Sequence, residues 1–193
     1  MHSPTGLLVA QLDKVSFYEI KSDEEYKHHS LLIENNIMNC YFEPESRHIL
    51  VSIRPTQKYP KVRNLVYELS SSSESIRLNL IQTYYGSSVQ KMLARSKLFL
   101  YNSELYGCSP CEESKTAQIW SVSSGKTIAK LNNGADILDV CPVKCRNDYF
   151  LCTLTDKQLR IFKKLLTNLF YHEKNSSVES PPWMDDPSSG CSD

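Results

Sequence analysis

Ala117-Gln118-Ile119-Trp120-Ser121-Val122-Ser123-Ser124-Gly125-Lys126-Thr127-Ile128-Ala129-Lys130-Leu131 is the stretch that decides the fold. Gln118, Ile119, Trp120 and Val122 supply the β-branched and aromatic side chains of one short strand, and Thr127 to Leu131 supply a second. Between them, Ser123-Ser124-Gly125-Lys126 forms a tight turn. Gly125 can take the positive φ that such hairpin loops require. Taken alone, the stretch would also suit an ordinary exposed hairpin.

Its surroundings narrow the choice. A Trp near the end of a strand, a Ser/Thr-Gly turn and a returning apolar strand make up the outer hairpin of a WD-repeat blade, a unit that packs radially into a β-propeller. Ser121 stands where the usual Asp would follow the Trp. Working backwards, Ile37–Phe42, His48–Arg54, Val62–Leu69 and Leu78–Tyr85 read as four strands, stopped in turn by Glu43-Pro44, Pro55, the serine run 70–73 and Gly86. Four strands in this span match the ~40–45-residue period of a propeller blade. The following unit has the same layout, with Met92-Leu93 and Lys97–Leu100, then Glu104–Cys108, then the Trp120 hairpin. Ile137-Leu138-Asp139-Val140-Cys141, closed by Pro142, is a nearly continuous apolar run and reads as a strand buried on both faces along the propeller axis, with Cys141 packed inward. Tyr149–Leu154 and Leu159–Phe162 complete an incomplete last unit. Near the N-terminus, Leu7–Gln11 and Val15–Glu19 read as strands, and the polar segment Lys21–His29 as a loop or exposed edge.

The organisation expected is therefore all-β: a partial WD-repeat β-propeller of about three blades of four-stranded antiparallel sheets. It divides into a partial blade with a polar loop at 1–36, blades at 37–90 and 91–134, an incomplete last blade at 135–163 and a disordered tail at 164–193. The segment 164–171 could form a helical turn or two. The Ser-, Pro- and Asp-rich remainder has the composition of a solvated chain, with Trp183-Met184 inside it as a candidate linear motif. Met38, Trp120, Gly125, Ile137, Leu138 and Cys141 are the candidate structural signature of the blades, with Met38 read as core.

Composition excludes several functions. The 22 basic and 22 acidic residues cancel, so no strong field is available to steer nucleic acid, and direct nucleic-acid binding is not expected. No apolar run approaches the ~20 residues of a membrane span, and the N-terminus lacks the basic region of a signal peptide. Seven cysteines without the spacing of a small secreted domain read as reduced thiols. The five histidines form no metalloprotease or nucleophile-elbow pattern, and no glycine-rich phosphate loop occurs. Cys108-Ser109-Pro110-Cys111 and Cys141-Pro142-Val143-Lys144-Cys145 have paired spacing that tetrahedral zinc could use, but buried structural thiols, which are common, are the favoured reading. One surface feature stands out. Arg47, Arg54, Lys58, Lys61 and Arg63 lie in one predicted hairpin, with Tyr59 in its loop. A basic, aromatic-bearing rim loop can dock an acidic partner, although a plain solvated loop, which charge runs usually are, is the favoured reading of these residues alone.

Several segments, in order, resemble one family. They are Gly6–Ala10 with Val15–Glu19, Ser46–Pro55, Ala135–Pro142 and Arg146–Lys157. Over about residues 5 to 163 the chain resembles the WD-repeat region of the RING finger and WD repeat domain-containing E3 ubiquitin ligases. The resemblance implies a substrate-recognition module in the nucleus, acting in the DNA damage response and interstrand cross-link repair. It implies replication protein A as the partner brought in for ubiquitination, with the strand-exchange recombinase as a further one. Catalysis in that family belongs to a RING domain, whose eight Cys/His ligands hold two zinc ions; no such run occurs in these residues, so no cofactor is expected for this segment. The chain reads as a piece of a larger propeller, marginal or oligomeric when alone, because repeat units cannot bury their faces singly. A stand-alone propeller scaffold with no link to ubiquitin is the alternative.

Overall fold

The computed structural model describes residues 5–20, 26–33, 36–72, 75–86, 95–145 and 148–162. Within them are fourteen strands: β1 (Thr5–Ala10), β2 (Lys14–Ile20), β3 (Tyr26–Leu32), β4 (Ile37–Glu43), β5 (His48–Ile53), β6 (Arg63–Ser71), β7 (Ile76–Tyr85), β8 (Lys97–Tyr101), β9 (Glu104–Cys111), β10 (Thr116–Ser121), β11 (Thr127–Asn132), β12 (Asp139–Cys145), β13 (Asp148–Leu154) and β14 (Leu159–Phe162). They form four antiparallel meanders in chain order: β1-β2-β3, β4-β5-β6-β7, β8-β9-β10-β11 and β12-β13-β14. Two four-stranded sheets are thus flanked by two three-stranded ones. No helix of the described residues is long and apolar enough to cross a membrane.

The sheets stack face to face, with one apolar layer between each pair. Val15 and Phe17 meet Ile49, Val51 and Ile53 between the first and second sheets. Leu50, Val66 and Tyr84 meet Leu98, Trp120 and Val122 between the second and third. Phe99, Tyr106 and Ile119 meet Ile137, Val140 and Leu151 between the third and fourth. This explains the unbroken apolar run of β5. Successive side chains of a strand point to opposite faces, and in β5 both faces are covered, Ile49, Val51 and Ile53 towards the first sheet and Leu50 towards the third. Large apolar side chains are left exposed mainly on the two terminal sheets, among them Leu7, Ile20, Tyr26 and Leu32 on the first and Leu159 and Ile161 on the last.

A repeated backbone bond defines the phase of the repeat. The residue just after β7 donates to the residue just before β6, Gly86 N to Val62 O at 2.8 Å, and Asn133 N to Lys115 O at 3.0 Å does the same for β11 and β10. The first sheet makes the equivalent bond, Ile33 N to Asp13 O at 2.7 Å, after β3 and before β2. The strands β1, β2 and β3 therefore correspond to the second, third and fourth strands of a blade. The contacts agree, since β1 touches β4 as β5 touches β8 and β9 touches β12. Among the described residues the first sheet has no inner strand and the last no outer one. The inner strands β4, β8 and β12 lie side by side.

The Trp120 hairpin has the expected form. β10 and β11 pair with a bulge between Ile119 and Trp120, and Gly125 sits in the turn at φ 67°. Other expectations are corrected. Met38 is half-buried rather than core, because it is the extra residue of a bulge in β4, between the pairs Ile37↔Ile53 and Asn39↔Ser52, which turns it out of the alternation. The strand expected at 137–141 starts at Asp139 and runs through Pro142 to Cys145. Ile137 is buried ahead of it, Leu138 is half-buried, and Cys141 is exposed rather than packed inward, since Val140 takes the buried face. Among the described strands β12 forms a ladder with β13 alone, a single parallel bridge from Asp139 to Arg95 lying at the start of its other side, so Pro142 is tolerated where its missing N–H can face the side without a ladder. In the polar segment 21–29, residues 26–29 open the edge strand β3. Residues 21–25 lie outside the described residues, as do Met92-Leu93, the helical reading at 164–171, and the tail with Trp183-Met184.

Candidate partner-binding surface

The blade phase sorts the loops onto two ends of the stack. One end carries the β1–β2 turn, the entry to β4, the β5–β6 loop and the entry to β8. They are tied together there by Ile37 N to Leu12 O at 2.8 Å and Arg54 N to Asn36 O at 3.0 Å. The other end carries the β4–β5 turn, the β8–β9 turn and the Gly125 turn.

The β5–β6 loop holds most of the candidate partner-binding residues. Arg54, Lys58 and Lys61 are exposed; Tyr59 and Arg63 are half-buried. The loop is closed on itself, Thr56 N donating to Tyr59 O at 2.8 Å and Tyr59 N to Thr56 Oγ1 at 3.1 Å. Tyr59 is clasped by two cations: the Arg63 guanidinium carbon lies 4.3 Å from its ring centroid and the Lys58 ammonium 5.2 Å. Such contacts fix the ring, with the Lys58 side chain exposed and the Arg63 side chain half-buried, its Nε enclosed. Across the sheet, Arg63 pairs in register with Tyr85, which is exposed. At the same end, β1 and β4 border an open groove of about 520 Å³ lined by Leu8, Leu12, Met38, Asn39 and Arg95 among others.

Arg47 does not belong to this surface. It sits in the β4–β5 turn at φ 57°, while Arg54 follows the far end of β5. Six residues of strand separate the two ends by roughly 20 Å. Arg47 instead faces Glu19 of the first sheet, with Nη2 3.6 Å from Oε1, and Ser71 Oγ donates to Glu19 Oε2 at 2.9 Å. It ties two sheets together.

The paired-cysteine reading also separates. Cys108 and Cys111 are buried, whereas Cys141 and Cys145 are exposed. Burial pushes the Cys108 thiol up to about 12, which disfavours the thiolate that zinc would require. Among the described residues no group of three or more His, Cys, Asp or Glu side chains converges on a metal position.

What composition and periodicity did not reveal is how the surface is held. Trp120 is fully buried, stacked on Tyr84 with ring centroids 4.5 Å apart and planes 4° apart. Its Nε1 donates to Ser109 Oγ at 3.0 Å. The Tyr84 hydroxyl bonds Gln118 Oε1 and Thr127 Oγ1, each at 2.8 Å. Tyr84 thus locks β7 of the second sheet onto β10 and β11 of the third, next to Tyr85 and the basic loop. The one sequence signal was Gly107, a glycine inside a strand, which often marks a close approach. It lies directly across from Trp120.

Face-to-face four-stranded meanders, with inner strands side by side and this Trp-centred clamp, define a WD-repeat β-propeller domain, a class whose members generally mediate protein–protein contacts. The family model described as the E3 ubiquitin-protein ligase RFWD3 WD40 domain matches residues 1–163, and the chain belongs to that family. E3 ubiquitin-protein ligase RFWD3 of Mus musculus is 31% identical over 167 residues, covering 82% of this chain and 22% of the relative. The protein of the same name from Homo sapiens is 27% identical over 167 residues, with the same shares, 82% and 22%. The chain therefore spans about a fifth of the length of these relatives. Among solved structures, the WD40 β-propeller domain of Doa1 superposes with a TM-score of 0.50 at 14% identity, over 80% of this chain and 46% of that one. That likeness concerns the fold alone.

Proposed function

We propose that this chain is a partner-recognition part of a RING-type E3 ubiquitin ligase, and that its basic rim loop engages an acidic segment of replication protein A in the nucleus during the DNA damage response and interstrand cross-link repair. The observation that carries the proposal is the loop at 54–63, where Tyr59 is clasped by Lys58 and Arg63, and where Lys58 and two further cations, Arg54 and Lys61, are exposed. A clasped aromatic ring loses little further freedom on binding, and exposed cations around it steer an acidic partner and set its orientation. The strand-exchange recombinase is a second partner of the same proposal. The contribution to ubiquitin transfer is proximity, holding the substrate where a RING elsewhere in a longer protein promotes the reaction. Zinc then belongs to that RING, and this segment works without a cofactor.

The test is a pull-down of purified replication protein A by a complete family propeller carrying residues 5–163 of this chain. Lys58→Glu combined with Lys61→Glu is expected to weaken binding about tenfold, or ~1.4 kcal/mol, and to reduce its salt dependence. Lys126→Glu, in the turn at the opposite end, should leave it unchanged. Binding unaffected by the double reversal in a folded protein overturns the assignment of the loop.

A further inference from the structure

Outside the rim surface, the molecule holds one arrangement that its partner-binding role does not use. Cys141 of β12 and Cys152 of β13 are direct register partners in the antiparallel pair. Direct partners have Cα atoms about 4.5 or 5.5 Å apart, depending on the hydrogen-bonding type of the pair. Both separations fall within the range a disulfide spans, about 4.4–6.8 Å. Their side chains share one face of the sheet. Cys141 is exposed and Cys152 half-buried.

The other described thiols lack one or both conditions. Cys40 and Cys108 are held by burial, which pushes each thiol up to about 12. Cys111 is buried and accepts from Ser114 Oγ at 2.9 Å. Cys145 is exposed, but its register partner is Asp148.

We infer that Cys141 and Cys152 form an oxidation-sensitive pair that closes to a cross-strand disulfide with hydrogen peroxide as oxidant. The exposed Cys141 thiolate attacks a peroxide oxygen. The O–O bond breaks, an S–OH group forms, and hydroxide leaves. The Cys152 thiolate then attacks Cys141 Sγ, the S–S bond forms, the S–O bond breaks, and a second hydroxide leaves. With the two protons the thiols release, the sum is two thiols and one peroxide giving one disulfide and two waters. Burial raises the Cys152 thiol, which suits it to the second, resolving step rather than the first. The bond would pin β12 to β13, the one described strand with which it forms a ladder.

The sequence makes the test direct. Trypsin cuts after Lys130, Lys144, Arg146 and Lys157, placing Cys141, Cys145 and Cys152 in the separate peptides 131–144, 145–146 and 147–157. The full chain is treated with hydrogen peroxide under native conditions and again in urea, free thiols are alkylated, and the non-reduced digests are read by mass spectrometry. The native sample is expected to contain 131–144 joined to 147–157 as the main linked species, removed by dithiothreitol and absent in Cys141→Ser and in Cys152→Ser. The urea sample should scatter its linkages over several pairs. A native digest in which Cys141 is linked mainly to Cys145 or Cys108, or is oxidised while Cys152 remains alkylated, overturns the inference. So does a linkage pattern that does not differ between the native and urea samples.

Discussion

Gly107→Ala is the substitution that most directly tests how the second and third sheets are held together. A methyl carbon at position 107 would stand 2.1 Å from both Cε2 and Cζ2 of Trp120 and 2.7 Å from Cη2. The indole has nowhere to retreat. Tyr84 is stacked on its face at 4.5 Å, and Ser109 holds its Nε1 at 3.0 Å. Relief requires β9 to move away from β10 or the indole to leave its slot. Overpacking a fixed core costs about 1–3 kcal/mol, and losing the burial of a large aromatic side chain costs about 3–5 kcal/mol. A contact this short against a ring braced on both sides belongs where the ranges meet, at about 3 kcal/mol. For a domain of this size each kcal/mol moves the melting temperature by about 2–4 °C, so the expected fall is about 6–12 °C. Urea melts followed by far-UV circular dichroism read the loss without relying on the Trp120 signal. A double-mutant cycle with Trp120→Leu isolates the cause, since removing the ring removes the clash, and the two losses should fall short of additivity by ~1 kcal/mol or more. A Gly107→Ala protein within ~0.5 kcal/mol of its parent, or losses that simply add, would refute the reasoning.

Two further predictions concern the same core. Ser109→Ala leaves the buried indole N–H of Trp120 without its acceptor and should cost ~1–3 kcal/mol in urea melts, while Ser109→Thr, which keeps a hydroxyl, should cost less; equal losses would contradict this. Burial holds the His48 imidazole below its usual range, against a backbone bond to Ser46 and the Glu68 carboxylate, which pull the other way. The unfolded chain therefore takes up this proton first as pH falls. Stability should drop as pH falls below the unfolded value of ~6.5 and level off below the folded value. Urea midpoints measured on both sides of that window should differ less in His48→Gln than in the parent, and an unchanged difference would discard the assignment.

Which parts of this fold were legible in the amino-acid sequence follows from the range over which each signal acts. The Trp120 hairpin could be read because its turn chemistry is local: Gly125 needs its positive φ whatever the sheet packs against. The β5 run could be read as strand because coverage on both faces writes itself as continuous apolar residues. Closeness in sequence groups Arg47 with Arg54, yet a strand of six residues carries the chain to the opposite end of the stack, so closeness in sequence there means separation in space. Pro142 reads as a strand end because proline cannot donate to a ladder; whether that matters depends on whether a ladder runs on that side, and β8, which lies beside β12, forms none with it. Gly107 and Trp120, thirteen residues apart, are related only through the register of β9 and β10. The place of β1 as the second strand of its blade is hidden for the same reason, since its apolar pattern does not say whether it is the first or the second strand. It became readable through a bond that the first three sheets each make, from the residue after the outer strand to the residue before the third. Within a repeat architecture, then, composition identifies the unit, and the backbone bonds between its strands identify where in the unit the chain stands.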